Sequence, residues 1–567
     1  MEKVILDAQG MPIRRLILTC TAVDKRKAAI PIGASALKGG KWSYPPDEVA
    51  VQVLQHEFGD RLELTPTVQK WFDGVIAWRH RMLELQTTEL DALPLKYSDH
   101  MKFYQRTMAN YGTEAKRYIN GDDRGLGKTL DAIAVAELAK AKKVLIVCPG
   151  YLKLGWMREI KKWPGDSSYV TRGERDKRTQ TIQEYFNSPT RFMIVNYEMI
   201  RPNKAVGGYP ELLLFPWDMI IFDEAHRLKG RQSQWTEGAK QITKKPSIQL
   251  LSGNPLDRPD DIWQLLNLID PLKFSSYWAF VEYYCVMVDT FFGREIAGVN
   301  QARMAQLQYT IQPYLLRRLK KQVAPELPEK IFHPIYVELE GKQKSFYKRL
   351  EKQMVIELAN GDLELVTAVA AKQLRLQQAI ANPAILGGVD DSIVERTCLD
   401  LLEDLLEGSD KCIVGTWFVP AADSLEAKIS AKYKTFRIKA SLKDVKRDEV
   451  VEAFKVCKEK CVLVGTIGTL GEGLNIDECD DIIRCDKSWT PKDNEQFEDR
   501  IHRLTSTRKK NYYDIIVTNT TSEDKETVLQ ERVETRDEVL SMEKITAMNQ
   551  RKAAELMMQR VQAESGK

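Results

Sequence analysis

Four near-continuous apolar runs, each strand-length and separated from the next by helix-patterned sequence, set the tightest limit on how this chain folds. They are "KKVLIVC" at 142–148, "FMIVNY" at 192–197, "DMIIFD" at 218–223 and "SIQLLSG" at 247–253. Such runs lack the in–out alternation of a sheet with one wet face. They predict a parallel sheet covered by helices on both sides. The pattern returns from about Lys411 with "KCIVGTWF", "TFRIKA", "CVLVGTI", "DIIRCD" and "YYDIIVTN". At 567 residues the chain is too long for one core. The expected class is α/β, with two parallel-sheet lobes and helical insertions.

The expected organisation is a small α+β N-terminal accessory domain at 1–95 and a first lobe with a helical protrusion at 96–325. A helical linker at 326–395, a second lobe at 396–525 and a charged helical tail at 526–567 follow. No apolar run reaches the ~18 residues needed to cross a bilayer, so no membrane partner is expected. The start lacks the apolar core and cleavage site of a signal peptide. Nine scattered cysteines fit reduced thiols, and Cys457 and Cys461 have no second pair to complete a zinc site. The net charge of +4 does not by itself announce nucleic acid. A local basic groove is compatible with it.

Between these limits lies "NGDDRGLGKTLDA" at 120–132. Its second half fits the phosphate-loop pattern G-x-x-x-x-G-K-[ST], but Asp122 stands where the first glycine belongs. Gly125 and Gly127 free backbone N–H groups, with that of Leu126, to turn toward phosphate at a helix N-terminus, where the dipole also favours anions. Lys128 would reach the β and γ phosphates of ATP, and Thr129 would join the shell of a Mg²⁺ ion. Alone, the segment also reads as a surface turn. "MIIFDEAHRLKG" weighs against that, because it delivers Asp223 and Glu224 at the carboxyl end of a strand, where α/β sheets place ligand-binding groups. Asp223 would hold the magnesium through water, and Glu224 would polarise the attacking water.

With "DEAH" at 223–226 following such a loop, the chain resembles superfamily-two helicases and translocases, and more narrowly the SWI/SNF-type ATPases. That family uses D-E-x-G-L-G-K-T, so Asp122 fits it and Arg124 is the unusual residue. The resemblance covers roughly residues 100–525 and implies two RecA-like lobes and a DNA-dependent ATPase. "FYQRTMANY" is similar to the upstream glutamine motif, which implies an adenine contact for Gln105. "VLIVCPGYLKLGWMREIKKW" implies a nucleic-acid phosphate contact for Lys153. "LLSGNPLDRPDDIWQLLNLIDP" resembles the coupling motif, with Asn254 in place of threonine. "YLLRRLKKQVAPELPEK" resembles the family's basic bridge and implies DNA contacts for Arg317 and Arg318; a solvated basic helix end is the alternative. "RLQQAIANPAIL" resembles a further motif, with Asn382 in place of histidine.

In the second lobe, "VGTIGTLGEGLNI" resembles the fifth motif, and Thr466, Gly473 and Asn475 are its matching residues. "QFEDRIHRLTST" resembles the sixth. Gln496, Arg500 and Arg503 are carried over from it, with Arg503 the better arginine finger, Arg500 also near the γ-phosphate and Gln496 bridging. Arg500 and Arg503 lie three apart, one turn along a helix. Thr505-Ser506 replaces the family's glycine–glutamine ending.

Spacing alone does not separate DNA from RNA. The family resemblance implies a monomeric motor on double-stranded or branched DNA. The chain carries no bromodomain-like, chromodomain-like or zinc-finger segment, which favours a repair or replication-fork motor with replication or repair partners over a dedicated nucleosome remodeller. Residues 33–71 faintly resemble the HARP domain that precedes the motor in annealing helicases. That implies rewinding or regression of forks, with Trp42, Tyr44 and Trp71 stacking on unpaired bases; filling a small core is the bland alternative. Expected localisation is cytoplasmic, at the nucleoid, for a bacterial or viral source and nuclear for a eukaryotic one. An RNA helicase or ribonucleoprotein remodeller and a partner-activated, non-catalytic adaptor are the competing classes.

Overall fold

The computed structural model describes residues 3–540 apart from 245, 254, 256–259, 291–292, 325–326, 360–365, 443, 472–475, 477, 503–505 and 507. The chain forms two compact units, the first comprising residues 1–288, 295–319 and 535–567 and the second 289–294 and 320–534.

In the first unit, the four apolar runs form the strands Val144–Cys148, Phe192–Asn196, Met219–Asp223 and Ser247–Leu251. They lie in a seven-stranded sheet in the order Leu315–Leu316, Arg117–Asn120, Ser247–Leu251, Met219–Asp223, Val144–Cys148, Phe192–Asn196, Ser168–Val170. Every pairing in it is parallel. Alternate residues feed two cores: Leu145, Val147, Ile220 and Phe222 face one, and Val144, Ile146, Met219 and Ile221 the other. That is why the runs are continuously apolar. Burying one such branched side chain is worth about 1.5–3 kcal/mol, which outweighs local propensity differences. The sequence pattern does not mark the strands Arg117–Asn120, Ser168–Val170 and Leu315–Leu316, of which the last two are only three and two residues long.

Residues 1–95 carry their own five-stranded sheet, ordered Ser35–Leu37, Lys41–Tyr44, Arg15–Thr19, Val4–Gln9, Leu62–Leu64, but belong to the first unit. The helix Pro66–Thr87 explains this. Val68 near its start packs in the N-terminal core, while Met82 and Leu85 near its end pack in a core of the large sheet. A buried ion cluster reinforces the join. Lys273 Nζ lies 2.6 Å from Glu48 and 3.2 Å from Asp47, with all three side chains at most 4% exposed. Arg79, on the same helix, stacks 3.4 Å from the centre of the Tyr309 ring. Tyr44 is fully buried and donates its hydroxyl to Ala28 O at 2.7 Å, so it is a core residue and does not stack on a base. Trp42 and Trp71 are half-buried against the same core.

The second unit holds a six-stranded parallel sheet ordered Lys330–Val337, Lys510–Val517, Asp481–Arg484, Lys411–Thr416, Cys461–Thr466, Lys434–Ile438. Five of these are the expected strands. Lys330–Val337 is the addition, an edge strand with alternating exposure, which is the pattern of a half-covered sheet margin. The helices Gly341–Ala359 and Val366–Ala381 fall where a helical linker was expected, but they belong to this second unit. No helix among the described residues is long and apolar enough to cross a membrane.

Candidate functional site

The strand Arg117–Asn120 runs directly into the glycine loop, which ends on the helix Lys128–Leu138. Gly125 and Gly127 adopt φ of +83° and +88°, the left-handed region where a side chain is strained. Gly127 is doubly constrained, since a Cβ there would sit 2.3 Å from Gln105 Nε2. Lys128 Nζ donates to Asp122 O at 2.7 Å and Asp123 O at 3.1 Å, curling the loop around the ammonium. Thr129, on the first helical turn, is half-buried.

Asp122 is fully buried, and Arg318 holds it. The Arg318 backbone N–H and Nε donate to Oδ1 at 2.9 and 3.0 Å, and Nη2 donates to Oδ2 at 2.5 Å. Burial alone would make the guanidinium easier to deprotonate, but the Asp122 carboxylate raises its pKa instead. This corrects the expectation of a DNA contact for Arg318: its fork is spent on the loop's acid. Gln105 lies against the same loop. It accepts from the Lys102 N–H at 3.0 Å and donates to Leu126 O at 3.2 Å, so both ends of its amide brace the loop and its own helix start. Lys153 donates to Thr171 O at 2.6 Å, and burial lowers its pKa. Arg317 is half-buried behind Gly121, its Cβ 3.2 Å from where a Gly121 Cβ would be.

The second half of the site is the end of Met219–Asp223. Asp223 accepts from Trp156 Nε1 at 2.8 Å and from the Glu224 N–H at 2.9 Å, and its carbonyl accepts from Tyr197 OH at 2.8 Å. Burial and the adjacent Glu224 charge push its carboxyl up to about 6, against smaller opposing pulls from Trp156 and Lys128. Glu224 goes the other way. Burial raises it, but the hydrogen bond and charge of His226, with Arg124 and Lys128, hold it well below the usual carboxylate range. His226 Nδ1 lies 3.2 Å from Glu224 Oε2 and 3.4 Å from Ser252 Oγ. Glu224 itself sits at φ 55°, ψ 48°. A non-glycine residue there costs on the order of 1–3 kcal/mol, strain that clusters at functional sites. Two adjacent acids with opposite shifts suit two roles, one exchanging partners and one staying ionised.

An acid held only by neutral donors, beside a phosphate-type loop with a half-buried threonine, is an oxygen donor set that fits Mg²⁺ with a nucleotide. The strand feeding the loop and the strand ending at Asp223 both flank Ser247–Leu251 in one parallel sheet, which brings loop and strand end to the same edge. Trp156, Tyr197 and His226 were not singled out in the sequence as site residues. Only His226, inside the D-E-A-H run, carried a local signal.

In the second unit, Thr466 ends its strand and exchanges hydrogen bonds with Thr469, at 3.1 Å from its N–H and 3.0 Å between hydroxyls, capping the short helix Ile467–Gly471. Gln496 is half-buried on the helix Pro491–Ile501, which also carries Arg500. Asn254, Gly473, Asn475, Arg503 and Thr505 lie outside the described residues.

Residues 102–385 match the SNF2-related domain, and residues 397–505 match the helicase conserved C-terminal domain. The ISWI chromatin-remodeling complex ATPase ISW1 of Saccharomyces cerevisiae is 27% identical over 431 residues, 71% of this chain and 37% of that protein. Protein CHROMATIN REMODELING 5 of Arabidopsis thaliana is 25% identical over 497 residues, 79% of this chain and 28% of that protein. The chain thus spans about a third of the length of these curated relatives. The solved Sulfolobus solfataricus SWI2/SNF2 ATPase core in complex with dsDNA is similar at 23% identity and a TM-score of 0.38, covering 83% of this chain and 98% of that one. Because the SNF2-related domain alone spans half of the sequence, this chain belongs to the SNF2-related, helicase-like family.

Proposed function

We propose that this protein is an ATP-driven translocase on double-stranded DNA, following one strand through its phosphates without sequence readout. The observation that carries the reading is the half-buried Asp223–Glu224 pair at a strand's carboxyl end, held by Trp156 and His226 in the same sheet as the strand that feeds the glycine loop. Thr129 and Asp223 would hold magnesium, and Lys128 the β and γ phosphates. The bound magnesium nucleotide supplies the transferable phosphoryl group. Glu224, kept ionised by His226, Arg124 and Lys128, orients a water and accepts its proton. Arg500 and Arg503 supply charge to the transition state, with Gln496 bridging. Arg317, Thr466 and Asn475 are the proposed DNA contacts. The finer reading is remodelling of branched or forked DNA, in repair or at replication forks. The N-terminal sheet, with half-buried Trp42 and Trp71 and outside the matched SNF2-related domain, supports a recognition role.

The test is ATP turnover with no polymer, duplex DNA, single strands, forked DNA and RNA, for wild type and Glu224→Gln. Duplex-stimulated turnover, reduced about 10²–10⁴-fold in the variant, is expected. Greater stimulation by forks than by plain duplex would support the finer reading. Stimulation by RNA above duplex DNA would replace it with an RNA motor, and no turnover with any polymer would leave an adaptor.

A further inference from the structure

The segment around Arg318 is where the chain passes from the first unit to the second, and an ion pair holds it on each side of the crossing. In the first unit, Leu315–Leu316 pairs with the strand that feeds the loop. The Gly121 N–H donates to Leu316 O at 2.8 Å, and the Asp123 N–H donates to Arg318 O at 3.0 Å. The crossing segment and the glycine loop are therefore laced by backbone bonds before any side chain is counted. The Arg318 fork on Asp122 completes the lacing, and its remaining arm donates to Tyr104 O. Since the carbonyls of Asp122 and Asp123 also hold Lys128, a continuous bonded path runs from Arg318 to the phosphate-binding ammonium.

Two residues later, in the second unit, Lys320 Nζ donates to Asp499 Oδ1 at 2.7 Å and to His502 O at 3.1 Å. Lys330 adds a second cation on Asp499 at 3.0 Å. Asp499 immediately precedes Arg500 on the helix Pro491–Ile501. Arg318 and Lys320 are thus each committed to an element that carries candidate ATPase residues.

We propose that Arg318 and Lys320 are positioning residues. Arg318, through Asp122, sets the nucleotide loop. Lys320, through Asp499, sets the helix of Arg500. One short segment thereby braces a catalytic element within each unit. An acid in place of the loop's first glycine gains a purpose here, because glycine has no group with which to fix the crossing segment. Buried, bidentate arginine–carboxylate pairs are suited to this, since they demand one geometry. The inference rests on the ATPase reading above.

The experiment measures kcat and KM for ATP with the stimulating polymer, and binding of a fluorescent ATP analogue without polymer. The variants are Asp122→Asn, Arg318→Lys, Lys320→Met and Asp499→Asn, each checked for folding by thermal unfolding. The first pair should weaken nucleotide binding and raise KM between about 2- and 30-fold, the range over which contact networks modulate a site. The second pair should lower kcat over a similar range while leaving nucleotide binding unchanged. A double Asp122→Asn/Arg318→Lys variant should be little worse than either single one, as expected of residues acting together. Arg318→Lys keeps the charge but not the fork, so it remains informative if harsher changes unfold the protein. Folded variants with unchanged constants, or the same mixed loss from both pairs, would overturn the proposal. Wild type that binds the analogue but hydrolyses nothing would instead sink the ATPase reading; the binding data would still decide the Arg318 half.

Discussion

Asp223 ends a central strand of the first unit and Asp514 lies within a strand of the second; the first acid is half-buried and the second buried, and the fold treats their charges differently. Asp223 receives one indole N–H and one backbone N–H, and burial pushes it up to about 6. Asp514 receives the Arg484 guanidinium on both oxygens, at 2.5 and 2.7 Å, and Lys487 at 2.9 Å. Burial works against its charge, but Arg484 and Lys487 hold it below the ordinary carboxylate range. Arg484 also reaches Glu498, on the same helix as Arg500, at 2.5 Å. A charge balanced inside the fold belongs to the architecture, whereas one held only by dipoles is open to an incoming cation. The same side-chain type thus marks a structural joint in one unit and a candidate reactive site in the other.

Breaking the balanced joint should cost the most. Arg484→Met leaves Asp514 with Lys487 alone and Glu498 with Lys330 alone, and should destabilise the second unit by about 3–5 kcal/mol, read from urea unfolding. A loss near zero would remove the contrast. Next comes Lys273→Met in the first unit, which strands Glu48 and Asp47 and should cost about 3 kcal/mol near pH 7. Its pH dependence sharpens the point. In wild type, burial raises Glu48 but Lys273 more than offsets this and holds it low, so its stabilising contribution is lost as pH falls below its unfolded value, about 4.3. Asp47, pushed up to about 6 by burial, instead adds stability as pH falls from about 6 toward 4. Without Lys273, Glu48 becomes a second raised acid. The variant's deficit should therefore shrink between pH 7 and pH 5, and urea midpoints across that range that stay parallel to wild type would refute it. The smallest effect is expected at the dipole-held acid. Trp156→Phe removes one N–H donor from Asp223 and should cost about 1–3 kcal/mol. It should also shift the magnesium dependence of ATP turnover, and an unchanged magnesium curve would mean that the indole serves packing alone.

The readable parts of this protein were those written locally. Val144–Cys148 and residues 461–464 announce buried parallel strands because every residue faces a core. Gly125, Gly127, Lys128 and Thr129 announce a loop because chemistry and backbone demand coincide within a few residues. Asp223 and Glu224 announce a strand-end site for the same reason. What stayed hidden depends on contacts far apart in the chain. Asp122 and Arg318 are 196 residues apart, and Glu48 and Lys273 are 225. Trp156 reaches Asp223 across 67. A basic pair on paper is equally a DNA contact, a solvated end or a brace, because its partner is chosen by how strands stack and not by neighbours in sequence. Local pattern therefore determined the two sheets and the identity of the loop and its acids. Only tertiary packing decided which charges are neutralised within the fold and which remain available, since burial and partner distance set that difference and neither is a property of a sequence window.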